Sequence, residues 1–179
     1  MLGLYEKSIV IPGLSISDPV MTRLACEIAL RSKNGRQILE RELQRMQNPD
    51  RKRRLEFILP ALSADREERD RFFESLKMAE NRNPEPWVLE ALNYLHHPLR
   101  GNSGMKYVPE SLEMLREIQR TGDIFFPKNW LDATLGNYQS PKVARMVREY
   151  LEKNPRLPEN LRLNVLQSSD LLFRNVSMN

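Results

Sequence analysis

The chain has 179 residues, 40% of them hydrophobic and 29% charged, with 28 Lys and Arg against 24 Asp and Glu for a net charge of +4. That balance suits a folded chain able to bury roughly 70% of its unfolded surface, and it excludes a disordered or low-complexity segment. Two His and one Cys exclude an internal disulfide, a zinc finger or ribbon, and most Cys- or His-based catalysis.

Residues 1–17 stand apart. Ile9, Val10 and Ile11 are β-branched neighbours closed by Pro12-Gly13, which reads as a short strand or an extended arm. This stretch is taken as an arm or linker from a preceding domain, and 18–179 as one helical-repeat domain. Met1 to Ile11 lacks the basic start, apolar stretch and small-residue site of a signal peptide. A cytosolic chain fits, and so does a fragment of a larger secreted protein.

Helical periodicity begins at Asp18-Pro19, an N-cap followed by proline at the first helical position. Val20, Leu24 and Ile28, with Met21 and Ala25, share one face. Asn34-Gly35 ends this helix. Ile38, Leu39, Leu43 and Met46 carry a second helix. After Asn48-Pro49, Leu55, Ile58, Leu59 and Leu62 carry a third. Ser63 caps a fourth, with Phe72, Phe73 and Leu76 as its apolar face. Asn83-Pro84 opens a fifth through Trp87, Val88, Ala91, Leu92 and Leu95. Gly101-Asn102-Ser103-Gly104 reads as the most flexible loop of the chain. Leu112, Leu115 and Ile118 define a sixth helix, Pro127 to Leu135 a seventh, and Ser140-Pro141 starts an eighth. Leu161, Val165, Leu166, Leu171 and Leu172 make a last helix or broken pair. The expectation is an all-α chain of about nine helices joined by short Pro- or Gly-marked turns. Antiparallel helix pairs of this kind stack into HEAT- or armadillo-like superhelices. No strict internal repeat is present, and an irregular orthogonal bundle satisfies the same pattern.

No chemical motif stands out. His96 and His97 are adjacent and, on a helix, point about 100° apart, so they do not converge on one ion. They suit a helix C-terminus, where imidazole complements the dipole, or a contact with a bound peptide. Cys26 reads as a small core side chain. The charges from Asp65 to Arg71 alternate at spacings that suit a solvated, salt-bridged face. Arg51-Lys52-Arg53-Arg54 is the densest basic run. With a small net charge and no aromatic platform beside it, nucleic acid is not the expected partner. Ile124-Phe125-Phe126-Pro127 with Trp130 plugs a junction between helix pairs or lines a groove, and Trp87 carries the same two readings. No Gly-rich phosphate loop and no Gly-x-Ser-x-Gly elbow occurs. No stretch approaches 18 consecutive apolar residues, so no membrane span is expected.

Two runs carry a resemblance. One is Glu85-Pro86-Trp87-Val88-Leu89-Glu90-Ala91-Leu92-Asn93-Tyr94-Leu95-His96-His97-Pro98-Leu99-Arg100. The other is Gln119-Arg120-Thr121-Gly122-Asp123-Ile124-Phe125-Phe126-Pro127-Lys128-Asn129-Trp130-Leu131-Asp132-Ala133. Both resemble the C-terminal helical region of bacterial zinc aminopeptidases of the aminopeptidase N type, and Leu161 to Phe173 is similar to the last helices of such chains. The resemblance implies a non-catalytic domain of a larger metallopeptidase, covering the active-site cleft and shaping peptide access. Its partners would be the catalytic domain of the same polypeptide and a peptide substrate. It implies no cofactor in this chain, with the zinc and its His-Glu-x-x-His ligands in the missing catalytic domain. The compartment would be cytoplasmic or, within a larger exported protein, periplasmic. The residues expected to touch substrate or the neighbouring domain are Trp87, His97, Arg100, Lys106, Phe125 and Trp130. Of these, Arg100 and Lys106 are expected to meet a peptide carboxylate. The alternative is a free-standing HEAT-like interaction scaffold.

Overall fold

The computed structural model describes residues 1–6 and 8–177, with the side chain of residue 177 left aside. Every regular element among the described residues is helical. The helices are α1 (Leu2–Tyr5), α2 (Asp18–Ala29), α3 (Gly35–Arg45), α4 (Pro49–Leu62), α5 (Arg66–Ser75), α6 (Glu85–Leu95) and α7 (Gly101–Gly104). They continue as α8 (Val108–Glu113), α9 (Leu115–Thr121), α10 (Phe126–Leu135), α11 (Pro141–Lys153), α12 (Glu159–Ser168) and α13 (Asp170–Ser177). Three 3-10 turns, Ala79–Arg82, Pro98–Arg100 and Met105–Tyr107, join them.

The all-α expectation holds. The nine expected helices become thirteen among the described residues, for local reasons. The sixth splits at Met114 into α8 and α9, and the last splits at Ser169 into α12 and α13. Leu2–Tyr5 forms a helical turn, and Ile9 to Ile11, expected as a short strand or an extended arm, form no strand. The expected flexible loop at 101–104 is the helical turn α7, and Gly104 is buried. A Cβ at Gly104 would lie 2.7 Å from both the Leu95 carbonyl oxygen and the Tyr138 hydroxyl. Glycine is there for close approach, not for mobility.

Helix ends follow ordinary capping chemistry, shifted by a residue or more from the expected positions. Ser17 is the N-cap of α2, with Asp18 and Pro19 in the first turn. Asn34 precedes α3 rather than ending α2. The Asn48 side chain accepts the Arg51 N–H at 3.0 Å and caps α4. Asp65, not Ser63, stands at the head of α5, its carboxylate accepting the Glu67 N–H at 2.9 Å.

The chain forms two compact units, Met1–Phe72 and Phe73 onward, divided within α5. In the first unit α2 packs on α3, and α1 packs on α2. Ala25, Ile28 and Ile38 form a buried cluster that Tyr5 covers. Cys26 is buried beside it.

A buried carboxylate ties these helices together. Glu42 has no exposed surface. It accepts the Thr22 hydroxyl at 2.7 Å and the Tyr5 hydroxyl at 3.2 Å. It also accepts Arg45 Nε at 3.1 Å and Nη2 at 2.9 Å. Arg45 Nη1 donates onward to Asp18 at 2.8 Å. Residues from α1, α2 and α3 thus share one acceptor, which ties Tyr5 to α2 and α3.

In the second unit α10 is the hub, packing against α6, α8, α9 and α12. Its side chains Phe126, Trp130 and Leu131 are buried. Phe126 and Trp130 meet edge to face at 5.9 Å. Helix α11 packs on α8 and α13.

Burial raises the Glu42 carboxyl, but the bonds from Arg45 and Thr22 and the Arg45 charge outweigh it. The net shift is downward from the ordinary value of 4.5. A lowered folded pKa stabilises the fold above the unfolded value, and that contribution is lost as pH falls through the folded value. Glu42→Ala, which removes the acceptor shared by Tyr5, Thr22 and Arg45, is expected to cost about 2–4 kcal/mol at pH 7 in urea denaturation. The gap between the variant and the parent should shrink as the titration is repeated at pH values below about 4.

Candidate functional site

The second unit holds an open groove of about 760 Å³. That volume lies within the range of small-molecule and peptide sites. One wall is the segment from Ala79 to Pro86, and the other is Thr121, Gly122 and Phe126.

The first wall is built by a buried arginine. Arg82 Nη1 donates to the Leu76 carbonyl at 2.9 Å and the Lys77 carbonyl at 3.3 Å. Those carbonyls lie just past the end of α5, where no further helical N–H reaches them. Arg82 Nη2 pairs with Glu117 on α9 and donates to the Thr121 hydroxyl at 2.9 Å. One guanidinium therefore closes a turn and pins it to α9. Arg69 repeats the device in the first unit, donating to the Ser63 and Ala64 carbonyls at 2.7 and 2.8 Å. Both arginines sit five and six residues after the carbonyls they hold. Arg69 is thus buried, a correction to the solvated face expected for 65–71.

The second wall is a braced loop. Gly122 ends α9 in an extended conformation. A Cβ there would lie 2.6 Å from the Phe126 ring and 3.0 Å from Glu85 Oε1, so the close approach of α6 requires glycine. Glu85 Oε1 accepts the Asp123 N–H at 2.8 Å, and Asp123 Oδ1 accepts the Phe125 N–H at 2.8 Å. The braced loop holds Ile124 82% and Phe125 68% exposed.

The six expected contact residues do not form one site. Phe125 lies on the groove loop, and Trp87, half-buried, follows the lining residue Pro86. His97, Arg100 and Lys106 lie beyond the other end of α6, an 11-residue helix about 16 Å long. His97 Nδ1 accepts the Leu99 N–H at 3.2 Å and caps a 3-10 turn. The Arg100 carbonyl accepts the Ser103 hydroxyl at 2.8 Å. Lys106 Nζ sits 5.0 Å above the Tyr107 ring, a cation–π contact. Trp130 is fully buried, and its Nε1 donates to the Ser111 carbonyl at 3.3 Å. Of the two readings for Trp130, the core one applies. The sequence reading missed Arg82, Glu85 and Gly122. Only the two prolines flanking Glu85 hint at the first wall.

His96 is buried, and its Nδ1 lies 2.8 Å from the Tyr138 hydroxyl. Its Nε2 has no partner among the described residues. Burial pushes its pKa down from 6.5 to about 3, so the ring is neutral and does not complement the helix dipole as expected. No group of three potential ligands for a metal occurs among the described residues. No described helix is long and apolar enough to cross a membrane. The Thr121 hydroxyl in the groove donates to the Glu117 carbonyl at 2.9 Å, with a Glu117 carboxylate oxygen 3.4 Å away. No protein-family model, no curated protein and no solved structure matches the chain.

Arg82→Met is expected to destabilise by about 2–4 kcal/mol in urea denaturation, because Glu117 and two turn carbonyls lose their donor. Arg82→Lys should recover little, since an ammonium cannot reach all these acceptors together. His96 should show no titration by NMR between pH 8 and 5. Unfolded chains take up that proton below about 6.5. The His96 contribution to stability therefore falls with falling pH between 6.5 and about 3, by about 1.4 kcal/mol per pH unit at its steepest.

Proposed function

We propose that this chain is the non-catalytic helical C-terminal part of a zinc aminopeptidase of the aminopeptidase N type, and that it borders the path of peptides to the catalytic cleft. The observation behind this reading is a juxtaposition. The two runs that carry the resemblance, 85–100 and 119–133, are separate in sequence yet adjacent in space. Helix α6 packs on α10, and Glu85 accepts the Asp123 N–H. The first run supplies Glu85 and Pro86 to the groove, and the second supplies Thr121, Gly122 and Phe126. Residues that resemble one family in two places and build one feature are a unit of function rather than scattered likeness.

A helical domain of this kind acts by shape. Stacked helix pairs in a HEAT-like superhelix present a long concave wall. Beside a zinc cleft, such a wall excludes bulk water and large folded substrates while admitting extended peptides. The zinc and its ligands belong to the catalytic domain, and no catalytic step is assigned to these residues.

An antibody raised against this chain tests the reading on native extracts. The expected antigen is much larger than 21.0 kDa and contains a His-Glu-x-x-His zinc site by peptide mass fingerprinting. An antigen of 21.0 kDa overturns the proposal and leaves the free-standing scaffold. The purified chain, supplied with zinc, is expected to release no product from aminoacyl-p-nitroanilides. Turnover that survives repurification would also overturn it.

A further inference from the structure

The hydrogen-bond ledger of the groove gives it a sign. On the loop wall, the N–H groups of Gly122, Asp123, Phe125 and Phe126 are all taken. They donate to Ile118 O at 2.9 Å, Glu85 Oε1 at 2.8 Å, Asp123 Oδ1 at 2.8 Å and Asp123 O at 3.0 Å. On the facing wall, Pro84 and Pro86 have no N–H to offer. The cation lining the groove, Arg82, spends its guanidinium on two carbonyls, Glu117 and Thr121. What the walls still present is the Asn83 amide, which both donates and accepts, and the carboxylates of Glu80 and Glu85. The charge not spent on the fold is negative, which favours a cation over an anion.

The loop adds a second element. Gly122 and Phe126 line the groove, and the residues between them present Ile124 and Phe125 to solvent. An exposed aromatic on a loop braced by two side-chain hydrogen bonds loses little conformational entropy on binding. Arginine and apolar anchors beside such aromatics are common at interface centres.

We propose that this groove docks a polypeptide segment in which Lys or Arg stands next to an apolar side chain. The cation faces Glu80 and Glu85, and the apolar side chain lies against Phe125 and Ile124. The inference rests on the groove and not on the aminopeptidase reading. A native antigen of 21.0 kDa would end that reading and leave this one standing.

The test uses the full chain and two fluorescein-labelled probes, acetylated and amidated. One is Gly-Leu-Arg-Phe-Lys-Gly, and the other has Glu in place of Arg and Lys. The basic probe is expected to give a saturable rise in anisotropy that weakens with added salt. The acidic probe is expected to give none. Glu80→Gln combined with Glu85→Gln should weaken binding about fivefold, the scale of two exposed ion pairs. Gln at 85 keeps an oxygen for the Asp123 N–H, and circular dichroism melting checks that the fold is retained. Phe125→Ser should also weaken binding about fivefold, by removing an aromatic contact. Equal binding of both probes, no saturation at millimolar chain, or indifference to either set of substitutions would overturn the proposal.

Discussion

The burial of Trp130 is the interaction on which the second unit depends. Its ring lies within α10, meets Phe126 edge to face, and gives its one polar atom to the Ser111 carbonyl of α8. A buried indole is large, and its N–H must be paired for burial to be favourable. Satisfying that one donor sets the distance between α8 and α10. With α10 placed, Phe126 becomes the base of the groove and Gly122 comes up against Glu85. The exposed dipeptide Ile124-Phe125 is a consequence: the same loop that buries Phe126 turns its two predecessors outward.

Buried charge does the corresponding work at the turns. Arg69 and Arg82 each hold two backbone carbonyls that the helical ladder leaves without donors. Glu42 gathers donors from three helices around a single carboxylate. Each of these groups is costly to bury alone and tolerable because it makes several hydrogen bonds to nearby groups. The result is a chain whose connections are short and specified, so that helices of only about ten residues keep their places.

Much of the fold is legible in the residues. Apolar spacing at three and four locates α2, α3, α4, α6, α10 and α11, because the buried face of an amphipathic helix must repeat with the helix. Prolines mark the starts of all of these but α3, since proline at a first turn forfeits no hydrogen bond. Less legible are the breaks at Met114 and Ser169, where no proline or glycine interrupts the pattern. Gly104 misleads in the other direction. Composition reads two glycines as freedom, while the structure uses one for contact with Tyr138.

Site residues were harder to read, for a physical reason. Residue type tells that Trp130 and Phe125 are large and apolar, but not that one is fully buried and the other 68% exposed. It tells that Arg82 and Lys106 are cations, but not that the first is spent on carbonyls and the second rests on a ring. By itself the sequence determined the helical class, the positions of most helices and a core rich in leucine and aromatics, since these follow from local periodicity and capping. Tertiary structure alone decided which charges are buried, how the chain divides into units, and that Glu85 and Asp123 meet across a groove. Those outcomes depend on pairs distant in sequence, whose meeting is set by packing and not by any local pattern.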